Sequence, residues 1–237
     1  MHEAHQHEDN CFVTLTYNDE NYKPGLEHKD FRRFIRRVVA KKGPTRYFMC
    51  GEYGDKYKRP HYHAILFGQR FTDAKHTKGD GSEELSRLWG MGQTAVDEAT
   101  YDSAAYVARY AVKKVYGLRA DAYYTRVDIS TGEYVRVRPE YCQMSKQPAI
   151  GHTFLEKYWP EMYAARDSVI TKGGKQTKQP RYYDNWIKEN QTQTWKNIES
   201  ERQTNTKKYE KDNTDERLKT RETIAMENIK RKTRNFE

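Results

Sequence analysis

Residues 59–68 read RPHYHAILFG: a proline entry, two histidines one residue apart, then an apolar run closed by glycine. This stretch reads as a β-strand, and a strand needs a neighbour to pair with. In a strand, residues i and i+2 point to the same face, so His61 and His63 project from one side. The preceding run RYFMCGEYG (residues 46–54) reads as the adjacent strand and carries Glu52. Two imidazoles and one carboxylate leave positions open on a divalent metal, which suits catalysis better than structural closure. Spacing alone leaves metal binding and a plain core or surface role both open. A second H-x-H pair, His5 and His7, lies in a polar stretch with no strand around it and reads as a flexible surface segment.

The elements around this strand follow from periodicity. Cys11–Tyr17 (CFVTLTY) is rich in β-branched and aromatic residues and reads as a strand. Phe31, Phe34, Ile35, Val38 and Val39 fall on one helical stripe, and Gly43-Pro44 ends that helix. Arg32, Arg33, Arg36 and Arg37 lie off the stripe, as phosphate-tracking cations or as a solvated face. A short helix is expected from about Ser82 to Trp89, a strand from Gln93 to Asp97, and a helix from Tyr101 to Tyr116. The order β-α-β-β-α-β-α predicts an α+β fold, an antiparallel sheet with flanking helices. Tyr134–Met144 reads as extended, and Thr153-x-x-Glu156 as a capping box for a helix reaching about Pro160. From about residue 166 the composition turns to Lys, Glu, Thr, Asn and Gln, which predicts a polar, basic, partly helical or disordered extension. The expected division is residues 1–165 and residues 166–237.

A net charge of +9 with 35% hydrophobic residues favours a polyanion partner, nucleic acid first. The 19 tyrosines strengthen this, because aromatic faces stack on unpaired bases. Three scattered cysteines without a C-x-x-C pair argue for a reducing compartment. No apolar run reaches transmembrane length, so a soluble, intracellular protein is expected.

The run YVARYAVKK places Tyr106, Tyr110 and Lys113 on one helical face. On a helical wheel, Ala104, Ala108, Ala111, Val112 and Val115 form an apolar stripe opposite them, which predicts tyrosine hydroxyls turned to a groove rather than to the core. A tyrosine hydroxyl is a poor nucleophile unless a metal polarises the phosphate under attack and cations offset developing charge. The product would be a phosphotyrosine ester, with bond energy retained. A second tyrosine one turn away could attack a second phosphate and exchange strands.

FVTLTY, HYH and YVARYAVKK, in this order, resemble the three motifs of the HUH endonuclease superfamily of rolling-circle replication initiators. HEDNCFVTLTYND, GEYGDKYKRPHYHAILFG, AAYVARYAVKK and MSKQPAIG more closely resemble the initiators of gokushovirus-type single-stranded DNA bacteriophages of the Microviridae, over roughly residues 1–159. The resemblance implies the RRM-like HUH fold and nicking of phage origin DNA. It also implies a 5′-phosphotyrosyl link, a free 3′-hydroxyl for a host DNA polymerase, and action in the cytoplasm of the infected bacterium. His61, His63 and Glu52 would hold Mg²⁺ or Mn²⁺, with Asp55 an alternative third ligand. Tyr110 would initiate, Tyr106 would be its partner, and Lys113, or Lys114, would assist electrostatically. No Gly-Lys-Ser/Thr phosphate loop is present, so a helicase would be a separate host protein. Members of this group often carry a Cys-rich segment ahead of the region that starts here at Met1, and Ala149 stands where glycine is common. Two other readings stay open: a single-stranded DNA-binding or packaging protein without catalysis, and a metal-dependent hydrolase using water.

Overall fold

The computed structural model describes residues 1–54, 57–109 and 114–234, without the side chains of residues 172 and 229–234. It divides into two compact units, Met1–Phe154 and Leu155–Glu237.

Unit 1 opens with a 3-10 turn, Ala4–Gln6, where the sequence suggests a flexible stretch. Glu3 explains the difference. Its buried carboxylate accepts hydrogen bonds from the Gly151 N–H at 2.6 Å and from Arg46, and it pins the turn to two distant segments. Then come β1 (Asn10–Thr16), α1 (His28–Lys42), β2 (Arg46–Tyr53), β3 (Pro60–Phe67), α2 (Glu83–Trp89), β4 (Thr94–Glu98) and α3 (Tyr101–Arg109). After α3 follow α4 (Arg119–Tyr124), β5 (Thr125–Val127), β6 (Tyr134–Arg136), β7 (Tyr141–Met144) and α5 (His152–Trp159). The main sheet has the order β4-β1-β3-β2-β7, with every pairing antiparallel. The expected α+β architecture is met, and it is consistent with the HUH endonuclease fold.

Alternation along the strands sorts side chains into two faces. Cys11, Val13 and Leu15 of β1 join Tyr62, Ala64 and Leu66 of β3 in a core closed by Phe31, Phe34 and Val38 of α1 and by Leu85 and Trp89 of α2. Burying each of these large apolar side chains is worth about 1.5–3 kcal/mol. The other face carries Phe12, Cys50, Ile65 and Phe67, packed with Ala4 and with Val107 of α3. His61 and His63 have the parity of this second face.

Two local expectations are corrected and a third, the extended stretch, is met in two pieces. The helix predicted from Tyr101 to Tyr116 runs over Tyr101–Arg109; residues 110–113 are outside the described set, and 114–116 are not helical. The Val115 N–H goes to the Tyr124 hydroxyl at 2.9 Å rather than to a helical carbonyl. The extended stretch Tyr134–Met144 divides between β6, in a hairpin with β5, and β7, on the edge of the main sheet. The capping box fails because α5 starts at His152, whose N–H meets the Ala149 carbonyl at 3.1 Å, so Thr153 lies inside the helix.

Unit 2 continues α5 through a wide turn at Pro160–Ala164 into the two-stranded pair β8 (Val169–Ile170) and β9 (Gln176–Thr177). Helices α6 (Arg181–Asn190), α7 (Thr192–Lys208) and α8 (Asp215–Arg234) follow. Leu155, Met162, Tyr163, Val169, Tyr183, Ile187 and Ile198 are its buried apolar residues. Among the described residues no helix is long and apolar enough to cross a membrane.

Candidate active site

The site is a row across the three central strands. Strand pairing sets Thr14 opposite His63 and Thr16 opposite His61, while on the other side Cys50 faces His63 and Glu52 faces His61. The threonines use this register. Thr14 Oγ1 lies 2.9 Å from His63 Nδ1, and Thr16 Oγ1 lies 2.8 Å from His61 Nδ1. With Nδ1 held by a hydroxyl in each ring, the ligand-capable edge is Nε2. Burial pushes the His61 pKa down, and the neighbouring His63 adds to the effect, which favours the neutral ring.

Glu52 is 6% exposed and His63 is 8% exposed. The carboxylate reaches diagonally across the strands, and its Oε1 lies 2.6 Å from His63 Nε2. The Tyr106 hydroxyl donates to the same oxygen at 2.9 Å. The Tyr106 ring stands edge-on to His63, with centroids 5.1 Å apart, and edge-on to Phe12 at 6.2 Å. These contacts overturn the wheel reading of α3. The helix buries Val107 and turns Tyr106 towards the sheet, while Ala108 is exposed. A tyrosine can do this because its ring packs as an apolar body while its hydroxyl finds a polar partner.

Gly54, directly after β2, walls the His61 side. A Cβ there would stand 2.7 Å from His61 Nε2, so glycine keeps the space beside that nitrogen open with the ring where it is. A recess of about 430 Å³ opens at the same place, with Thr16, Gly54 and His61 in its lining.

The structure therefore brings together Glu52, His63 and Tyr106, with His61 one strand position away, its ring centroid 6.4 Å from that of His63. Tyr110, Lys113 and the alternative ligand Asp55 lie outside the described residues. Lys114 sits over the Tyr116 ring, 5.4 Å from its centroid. The second H-x-H pair has other partners: His7 Nε2 lies 3.2 Å from Glu3 Oε1, and the His5 ring lies 6.4 Å from that of Phe154. Thr14, Thr16 and Gly54 are site residues that the motif reading misses. The signal was there, since T-x-T in β1 has the same period as H-x-H in β3, but only the register joins them.

The donor set suits a divalent metal: two neutral-capable imidazoles with oriented rings and one buried carboxylate. Among the described residues no three such side chains converge on one point, because the carboxylate is closed onto His63. Holding an ion would require that hydrogen bond to open.

Residues 10–115 match the family model for the replication-associated protein ORF2. The replication-associated protein VP4 of Bdellovibrio phage phiMH2K is 37% identical over 212 residues, covering 82% of this chain and 62% of its own length. The replication-associated protein ORF2 of Spiroplasma virus 4 is 32% identical, covering 74% of this chain and 57% of its own. The replication-associated protein ORF4 of Chlamydia phage 1 is 34% identical over 135 residues, covering 47% of this chain and 32% of its own. The chain thus spans about three fifths of the length of the first two relatives. No solved structure matches.

Proposed function

We propose, from the match of residues 10–115 to the family model for the replication-associated protein ORF2, that this protein initiates rolling-circle replication by nicking phage origin DNA with a tyrosine nucleophile and a divalent metal. The observation that carries the reading is the hydrogen bond from Tyr106 to the Glu52 oxygen that also meets His63. A helix that brings a tyrosine hydroxyl onto a buried carboxylate–histidine pair supplies a nucleophile and an acceptor for its proton in one place.

His61, His63 and Glu52 would hold Mg²⁺ or Mn²⁺. When bound, the ion would polarise a phosphate oxygen and offset the charge that develops during displacement. The protein's own groups do the rest. The threonines of β1 hold both rings by Nδ1. Glu52 Oε1 takes the hydroxyl proton as the tyrosine oxygen attacks phosphorus. The bond from phosphorus to the 3′ oxygen breaks, and that oxygen takes a proton from solvent water and leaves as a 3′-hydroxyl. The phosphorus stays on tyrosine as a 5′-phosphotyrosyl ester, so reversal or transfer to another 3′-hydroxyl rejoins a strand. The sequence spacing nominates Tyr110 as the initiating tyrosine and Tyr106 as its partner. The contact with Glu52 supports Tyr106 as the tyrosine engaged in this state. Lys113 would offset phosphate charge. Host polymerase would extend the free 3′ end, a host helicase would open the duplex, and the work would take place in the cytoplasm of the infected bacterium.

A labelled origin oligonucleotide incubated with protein and Mn²⁺ tests this. A covalent adduct is expected on a denaturing gel, absent with chelator and abolished in the double variant Tyr106→Phe/Tyr110→Phe; the two single variants assign the order. Cleaved product with no adduct would identify a hydrolase using water. Binding without cleavage in the presence of metal would leave a DNA-binding protein.

A further inference from the structure

The recess beside His61 is a site in its own right. Besides the residues shared with the metal row, Asn18, Asp19, Tyr57, Arg59 and Gln93 line it. At about 430 Å³ it falls within the roughly 300–1,000 Å³ of small-ligand sites, room for a base and its sugar.

Its chemistry narrows the occupant. Among the described residues Arg59 is the cation in the lining, and its charge is paired: its guanidinium contacts Asp19 and lies 3.4 Å from the Tyr17 carbonyl. That neutralises the charge a phosphate would need. An apolar ligand is equally unsuited, because it would strand two amides and an ion pair. What remains is a neutral, planar, polar group with donors and acceptors along one edge. Tyr57, 73% exposed, supplies an aromatic face of the kind bases stack on.

Asn18 has a defined orientation. The Asn21 backbone N–H and Nδ2 both donate to its Oδ1, at 3.0 and 2.9 Å. A backbone N–H can only donate, so the oxygen must face it and the NH₂ is what Asn18 can offer a ligand. Asp19 and Arg59 set an acceptor beside donors in the same lining, the combination that reads a base edge.

We propose that this recess holds one unpaired nucleobase of the cut strand, adjacent to the scissile phosphate, and reads its polar edge through Asn18, Asp19, Arg59 and Gln93. The inference rests on the nicking function, because only then does His61 mark where the scissile phosphate lies.

The test separates the two ideas. The full-length protein, in chelator, selects from a random single-stranded DNA library, and the bound fraction is sequenced. Mn²⁺ is then added to the wild-type pool to map the nick. A preference of roughly tenfold for one base is expected at a position next to the nick. Asn18→Asp keeps the oxygen that Asn21 needs but removes the NH₂. Gln93→Leu spares the backbone carbonyl that takes the Thr16 N–H. In these variants the preference at that position should vanish or change identity while the other positions keep theirs. If the wild-type pool is nicked yet both variants select the same bases everywhere, the recess does not read a base and the nicking reading stands. If no selected pool is nicked, both readings fall.

Discussion

Thr14 and Thr16 decide which nitrogen each histidine presents. Each hydroxyl holds an Nδ1, at 2.9 and 2.8 Å, and so orients the ring. Thr14→Val and Thr16→Val keep the shape but remove the hydrogen bond, and each is expected to weaken Mn²⁺ binding about 10–100-fold in calorimetric titration. Gly54→Ala should act from the other side. Its Cβ would enter the 2.7 Å beside His61 Nε2, and Gly54 has no left-handed φ to strain, so nicking should fall sharply with a small change in melting temperature. At this scale the sequence was legible where spacing implies direction. His61 and His63 share a face, and Glu52 is in reach, as a two-residue period requires. A helical wheel misplaces Tyr106 because it counts alanine and valine alike as apolar. Val107 is buried and Ala108 is exposed, so large side chains, not the count of apolar ones, decide which way α3 turns.

Among the elements, α1 changes meaning most once it is placed. Its apolar stripe, Phe31, Phe34 and Val38, packs on the sheet face opposite the histidines. Its arginines therefore lie away from the histidine row. Two of them hold structure: Arg33 pairs with buried Asp30 at 3.4 Å, and Arg37 donates to the Leu88 and Trp89 carbonyls at the end of α2, at 3.0 and 2.9 Å. Arg32 and Arg36, one turn apart and exposed, are the ones suited to a distant stretch of DNA. Arg32→Ala/Arg36→Ala is expected to lower the salt dependence of duplex binding by up to about two phosphate contacts, a log–log slope change of about 1.8, without moving the nick. The stripe of α1 and the alternation of β1, β2 and β3 could be read directly because each buries one face. The start of α5 could not, because it is set by the local turn in which the His152 N–H meets the Ala149 carbonyl.

On the scale of the whole molecule, the relation to known proteins is wider than the motif region. Coverage of 82% of the chain by the Bdellovibrio phage protein exceeds what unit 1 holds, so the similarity reaches into unit 2. That unit, read from composition as a polar, partly helical or disordered extension, has a built centre. Arg202 on α7 bonds Asp167 at 2.6 and 2.8 Å and Asp184 at 3.1 Å, while Tyr163 donates to Asp184 at 2.8 Å. Arg202→Met leaves two half-shielded carboxylates facing each other and should destabilise unit 2 by about 2 kcal/mol in urea unfolding. Composition cannot show such a centre, because the residues that build it are charged. Unit 1 has its own connection of this kind, behind the histidines. Tyr62, between them in sequence, points to the opposite face; its hydroxyl accepts the Glu27 N–H at 2.7 Å and touches that of Tyr17 at 2.9 Å, which in turn donates to Asp30 of α1 at 2.8 Å. The residue just before α1 is thus tethered to the middle of the His-Tyr-His triplet. A load on the first turn of α1 must either snap those bonds or tug the very peptide units from which both histidines hang.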